Sequence, residues 1–452
     1  MVTAGDRSKE FFRENIPLDK MPDNVLADIE LLPGQKYQSV YGFGSAITGS
    51  SCYNLMQMNA SDRAVFLKET FSPSEGLGQN YLRISIGCSD FSMSEYTLCD
   101  TPGIENFALQ EEELEYVIPI LKEILTVNPD VKILGSPWTP PRWMKVNTLT
   151  DLKPHNEWTS GHLNPKYYQD YAVYFVKWIQ AMKNNGIDIE AVTPQNEPLN
   201  RGNSASLFMG WDEQRDFVKV LGRTFKNEGI STKIYLFDHN YNYDNMPEQQ
   251  QYPLKIYEDS EVAGCVAGAA YHNYGGHHDE LDKIHQARPD KELIFTETSI
   301  GTWNDGRNLE HRLVEDMEYL AFGTLNNWSK AVIVWNLMLD QDGAPNREHG
   351  CKTCYGAVDI QTSDYKTITR NSHYYVIGHL SASIQPGAVR IGNQIHSNKN
   401  IDCSTFENPD GSYAVIVLNK SGKEEEISIK SAGKYIAYTL PKRSVGSFLI
   451  KK

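Results

Sequence analysis

The chain has 452 residues, 40% of them hydrophobic and 22% charged, with a formal net charge of −15. That balance is ordinary for a folded globular protein, and the acidic excess argues against a nucleic-acid partner, whose phosphates require Lys and Arg. No basic run suits an anionic membrane surface, and apolar stretches such as 331–339 fall far short of the ~20 residues that span a bilayer.

Met1-Val-Thr-Ala-Gly-Asp6 is polar and lacks the apolar core of a signal peptide. The expectation is an exported protein (periplasmic, cell-surface or secreted) whose leader lies outside this sequence. Seven cysteines at 52, 88, 99, 265, 351, 354 and 403 do not describe a disulfide scaffold. Cys351-Lys-Thr-Cys354 has no second CxxC to complete a zinc ribbon, so a local disulfide or free thiols are expected there, and no metal or cofactor.

In chain order, residues 25–32 are strand-like and are expected to join a sheet formed near the other terminus. Eight short apolar, β-branched or aromatic runs follow, at 40–46, 80–86, 131–135, 189–193, 233–237, 266–272, 292–296 and 330–337. Such runs suit strands buried on both faces. Helical patterns lie between them. Leu114, Val117, Ile118, Leu121 and Leu125 recur at helical spacing behind acidic Glu111 to Glu113, which suit a helix N-terminus. Pro165 opens another helix, with Tyr171, Phe175, Trp178 and Met182 on its buried face and Gly186 ending it.

Eight strands alternating with helices predict a (β/α)8 TIM barrel. Beyond residue 372 the pattern changes to period-2 strands at 401–406, 413–418, 426–429, 435–440 and 447–449, with Asn408-Pro-Asp-Gly411 as a turn. The expected domains are an N-terminal segment 1–39 contributing to a side β-domain, a catalytic barrel 40–371 and a C-terminal β-sandwich 372–452.

Catalytic groups of such barrels sit where strands give way to loops. Glu197, in Thr193-Pro-Gln-Asn-Glu-Pro198, follows the fourth strand, and Glu297, in Phe295-Thr-Glu297, follows the seventh. Strands four and seven face each other, so both carboxylates can converge on one glycosidic bond. Retaining hydrolysis needs such a pair about 5–5.5 Å apart, and Asn196 suits a bond to the sugar 2-hydroxyl.

Several motifs in register carry a resemblance over nearly the whole chain: Tyr41-Gly-Phe-Gly-Ser-Ala46, Leu82-Arg-Ile-Ser85, Cys88-Ser-Asp-Phe-Ser92, Ser136-Pro-Trp-Thr-Pro-Pro-Arg-Trp-Met-Lys145, the two glutamate motifs, Val334-Trp-Asn336 and Ile384-Gln-Pro-Gly-Ala-Val-Arg390. The sequence resembles glycoside hydrolase family 30, the glucosylceramidase-like enzymes. The resemblance implies Glu197 as acid/base and Glu297 as nucleophile. It implies Asp90, Trp138, Asn196, Tyr274 and Trp335 as sugar-binding positions, with Arg83 beside the nucleophile. His272 is expected to orient that neighbourhood, or to be a satisfied structural histidine. Asp238 and His239 lie at the same rim without an assigned role.

The lipid-active members of that family tend to carry an aromatic residue where Asn273 stands. The loop 340–355, with Arg347, Glu348, His349 and Lys352, reads as a polar rim. A hydrophilic β-glucan, β-1,6-linked, is therefore preferred to glucosylceramide or a β-xyloside as substrate. The rival from another class is a catalytically silent glycan-binding barrel, against which both glutamates argue. A dinucleotide fold is disfavoured because Ile47 stands where a third glycine belongs. The His277-His278-Asp279 run reads as a solvated loop.

Overall fold

The structure, a computed structural model, describes residues 1–20, 26–431 and 433–451. All eight runs expected as buried strands form one parallel sheet. They are β1 (Gly42–Ser45), β2 (Tyr81–Ser85), β3 (Lys132–Ser136), β4 (Ala191–Val192), β5 (Lys233–Asn240), β6 (Gly268–His272), β7 (Glu292–Glu297) and β8 (Ser329–Val334). β8 pairs with β1, and the ring closes between β1 and β2 through the bridge of Ala46 with Arg83. The strands approach so closely there that a Cβ on Gly44 would lie 2.2 Å from the Tyr81 carbonyl oxygen, so glycine is required. β4 is shorter than expected, because Pro194 has no N–H to extend the ladder.

The two-residue period of a strand explains how the barrel presents chemistry. Tyr81, Leu134, Ala191, Ala270, Ile294 and Ile333 pack together in the barrel interior. Two positions further along the same strands come Arg83, Ser136, Thr193, His272, Thr296 and Trp335. An apolar layer thus supports a polar layer at the C-terminal mouth, where barrel active sites are built.

The helix expected around 114–125 is altered. Pro119 has no N–H to donate to the preceding turn, and Glu113–Val117 form a π-helical turn before the helix Ile118–Val127. This phase shift turns Leu114 out to solvent, at 53% exposure, so it is not on the buried face. Glu112 and Glu113 are buried instead of solvated. Glu112 accepts the Met93 N–H at 2.7 Å, and Glu113 accepts the Tyr96 hydroxyl at 2.7 Å. The helix Tyr168–Asn184 follows a short 3-10 turn at Pro165–Tyr167, and Tyr171, Phe175, Trp178 and Met182 are buried as expected.

Among the described residues, the side sheet has nine strands drawn from both ends of the chain. Of the N-terminal stretch expected at 25–32, Val25 lies outside the described residues, and the strand observed is Ile29–Ser39, paired with Val389–Ile395. The pattern change placed at 372 comes early. Ser372–Ser381 is a helix packed on the barrel, and the C-terminal strands begin at Val389. The strand Tyr413–Asn419 is buried on both faces instead of alternating. Val415 and Val417 face the sheet's own core, while Ala414, Ile416 and Leu418 join the barrel core. Phe406, Ile416, Leu418 and Val445 bury roughly 1.5–3 kcal/mol each at that junction. Buried His379 crosses it, 3.0 Å from Ser447 Oγ and 2.9 Å from Thr3 Oγ1. The Asn408–Gly411 turn forms as expected, with Gly411 at φ 81°. Among the described residues no helix is long and apolar enough to cross a membrane.

Candidate active site

Asp238, which sequence reasoning left without a role, is the hub of the barrel mouth. Its Oδ2 accepts Arg83 Nη2 at 2.8 Å, Ser136 Oγ at 2.8 Å and Thr193 Oγ1 at 2.7 Å. Its Oδ1 accepts Thr296 Oγ1 at 2.6 Å and lies 3.0 Å from His272 Nε2. Burial opposes its charge, but Arg83 and then His272 hold its pKa well below the usual carboxylate range. Phe237 and Asp238 both sit at positive φ, 71° and 70°, which turns the carboxylate into the barrel at the end of β5. Such outliers cluster at functional sites.

Arg83, fully buried, also donates to the catalytic candidates. Nη1 donates to Glu297 Oε2 and Nη2 to Asn196 Oδ1 at 2.7 Å. Its guanidinium carbon lies 5.0 Å from the Trp138 ring and 5.5 Å from the Trp335 ring. The two tryptophans stack at 5.2 Å beside Arg83 and are 1% and 2% exposed. The buried Trp138 Nε1 has no hydrogen-bond partner among the described residues. Because Arg83 fixes the Asn196 oxygen, the amide nitrogen is the end left to donate outward.

Glu197 stands at φ 44°. Its Oε2 accepts Asn200 Nδ2 and Asn203 Nδ2, each at 2.8 Å, and its Oε1 lies 3.3 Å from His272 Nδ1. Glu297 Oε1 accepts the Tyr274 hydroxyl at 3.0 Å. Tyr274, expected at the sugar, therefore holds a carboxylate with its hydroxyl while its ring is 42% exposed. A carboxylate oxygen of each glutamate and a His272 nitrogen all lie within 4.8 Å of one another. So close an approach of the nearest oxygens suits direct attack by one carboxylate, the retaining arrangement, over a water held between the two groups.

The charges follow from these contacts. Burial lowers His272, but Glu297 and Asp238 hold it up at about 9, which favours the imidazolium form with a proton toward each of Glu197 and Asp238. Arg83 and His272 thus face three carboxylates, Asp238, Glu197 and Glu297, and repulsion between the two glutamates favours a proton kept on one of them. Burial opposes charge on both glutamates, yet Glu197 is held down at about 2 by its partners while Glu297 stays raised. Glu197 is drawn down by charge on His239 and His272, while His272 and Arg83 draw on Glu297 against the repulsion of Glu197. Burial, however, drives His239 toward its neutral form, which removes its pull on Glu197.

Asp90 is pushed up to about 8 by burial and by the charges of Glu297 and Glu197. It lies at the mouth, and the β8 loop closes over it. Arg347, expected as a polar rim residue, points inward at 10% side-chain exposure. It donates to the Ser89 carbonyl at 2.6 Å, to Glu95 Oε1 and Ser204 Oγ at 2.9 Å each, and to the Ser204 carbonyl. Glu348, His349 and Lys352 do face solvent, and Cys351 and Cys354 form a disulfide.

All nine sequence-assigned residues therefore converge on one mouth. Missed were Asp238, Asn200, Asn203 and Arg347. The hydroxyls of Ser136, Thr193 and Thr296, each two residues beyond a barrel-core position, were the available signal for an acceptor among them. His277 and Asp279 are exposed, but His278 is half-buried and Asp279 opens the helix Asp279–Ala287, so the run is not the solvated loop expected.

Comparison with known proteins agrees with this fold. Residues 40–384 match the glycosyl hydrolase family 30 TIM-barrel domain and residues 387–448 the family's beta sandwich domain. The chain is 60% identical to a solved structure of the endo-β1,6-glucanase BT3312, with a TM-score of 0.97, covering 100% of this chain and 99% of that one. It is 30% identical over 436 residues to the endo-1,6-β-D-glucanase BGN16.3 of Trichoderma harzianum, covering 91% of this chain and 84% of the relative. It is also 27% identical over 430 residues to the lysosomal acid glucosylceramidase of Mus musculus, covering 89% and 79%. The chain belongs to glycosyl hydrolase family 30.

Proposed function

We propose that the protein is an endo-acting β-1,6-glucanase that cleaves by double displacement with retention. The observation that carries the chemistry is the glutamate pair with carboxylate oxygens within 4.8 Å, one of them bonded to a buried guanidinium. Glu297 is the nucleophile. Arg83 is a cation that does not titrate in the working range, and with His239 neutral it favours charge on Glu297 and leaves the shared proton on Glu197. Glu197 protonates the leaving oxygen and then activates water. Asn196 donates to the 2-hydroxyl, Asp90 engages vicinal hydroxyls, and Trp138 offers its free Nε1–H.

The substrate reading is supported by the full-length likeness to BT3312 and by the polar surroundings of the mouth. A cavity of about 290 Å³ adjoins Tyr274 and carries the exposed rings of Trp303 and Tyr319, room for a further sugar unit. Enzymes of this kind meet polymers outside the cytoplasm, and the Cys351–Cys354 disulfide suits an oxidising compartment.

The test is product analysis on β-1,6-glucan, laminarin, xylan and glucosylceramide, with the anomer followed by NMR. Short β-1,6-linked oligosaccharides released first as the β-anomer are expected. Release of the α-anomer overturns retention, and turnover of xylan or glucosylceramide in preference to β-1,6-glucan overturns the substrate.

A further inference from the structure

His239 is buried at the barrel mouth, 1% exposed, and neither of its ring nitrogens has a hydrogen-bond partner among the described residues. Buried polar groups left this way are rare and call for a reason. Successive residues of a regular strand point to opposite faces. Here the β5–β6 register shifts between Phe237 and His239, so Asp238 and His239 both reach the site. A strand irregularity next to an active site is a built feature.

The groups facing His239 are the carboxylates of Glu197, Asp244 and Asp238 and the imidazole of His272. His239 Nε2 lies 3.9 Å from Glu197 Oε1 and 3.5 Å from Asp244 Oδ1. Asp244, held by Asn240 Nδ2 at 3.0 Å, has a side chain 27% exposed and so links the imidazole to solvent. His272, in contrast, lies within 4.0 Å of both glutamates.

Negative charge moves during the proposed reaction. In the first step Glu297 forms the bond to the anomeric carbon as the glycosidic C–O bond breaks, and the Glu197 proton goes to the leaving oxygen. Charge that was on Glu297 is consumed in the ester, and charge appears on Glu197. Arg83 serves the first location. We propose that His239 serves the second as a positioning residue. It takes a proton from solvent past Asp244 while Glu197 is anionic and returns it when Glu197 regains a proton from the attacking water.

This inference rests on the roles given above to the two glutamates. The experiment uses 2,4-dinitrophenyl β-glucoside, whose leaving group needs no acid, so that kcat reports deglycosylation and its acid limb reports Glu197 in the glycosyl-enzyme. Loss of a cation within ~4 Å should move that limb of His239→Gln upward by about one pH unit or more. Asp244→Asn should move it the same way by less. A limb unmoved in both variants, or a uniform fall in kcat at every pH, overturns the proposal. If His239→Gln does not fold, an unmoved limb in Asp244→Asn overturns it alone. Wild type that forms no glycosyl-enzyme fails the underlying reading instead.

Discussion

Arg83 and Asp238 meet at 2.8 Å in the centre of the barrel mouth, and neither side chain has any exposure to solvent. The pair organises both catalytic candidates, because Arg83 continues to Glu297 and Asn196 while Asp238 continues to His272 and so to Glu197. A buried ion pair adds little net stability over an apolar pair, but breaking one is costly.

Asp238→Asn keeps the shape and removes one of the carboxylates that compensate Arg83 and His272, leaving the glutamates to face both cations. The expected loss is about 3–5 kcal/mol of stability, read as a lowered denaturation midpoint in urea, together with a large fall in kcat. A variant as stable as wild type would show that solvent or another carboxylate neutralises Arg83.

Glu197→Gln should lower hydrolysis of β-1,6-glucan by about 10²–10⁴-fold, the usual contribution of a general acid. With 2,4-dinitrophenyl β-glucoside the first step should survive and a glycosyl-enzyme should accumulate, visible by intact-protein mass spectrometry and linked to Glu297. Accumulation on any other residue contradicts the assignment.

His272 carries a pH signature. Its folded value of about 9 stands above its unfolded value near ~6.5. Its stabilisation is therefore fully present below about pH 6.5 and lost as pH rises through 9, a change of roughly 3 kcal/mol. The buried His373 and His379 are shifted down, so their linkage acts below that window. Wild type should lose stability between pH 6.5 and 9 more steeply than His272→Gln, as measured by urea midpoints across pH.

Arg347→Met unties the β8 loop from Ser89, Glu95 and Ser204, the last on the loop whose Asn200 and Asn203 hold Glu197. Small misplacements of a positioned group cost up to about 10²-fold, so kcat/KM should fall by about 10–100-fold. Amide exchange should quicken in residues 199–206 and 341–351 while the barrel strands stay protected. Unchanged exchange in both loops would mean that other contacts suffice.

How much of this was legible beforehand follows from the range of the forces involved. Short apolar runs between amphipathic helices specify a parallel barrel, because each strand must be buried on both faces. Their ends located Glu197 and Glu297 without coordinates. Leu114 went astray because Pro119 changes the helical phase locally, and Tyr413–Asn419 did because a strand between two cores buries both faces.

Local pattern thus sufficed for the barrel, the strand-end glutamates and the family of motifs around them. Asp238, His239 and Arg347 belong to a different class. Their roles arise from positive φ at Phe237 and Asp238, from a register shift between β5 and β6, and from a loop that folds back over the mouth. Those are decided by contacts between residues far apart in the chain. Whether a charged residue faces water or a buried partner depends on closure of the whole ring, and periodicity along one strand carries no information about it.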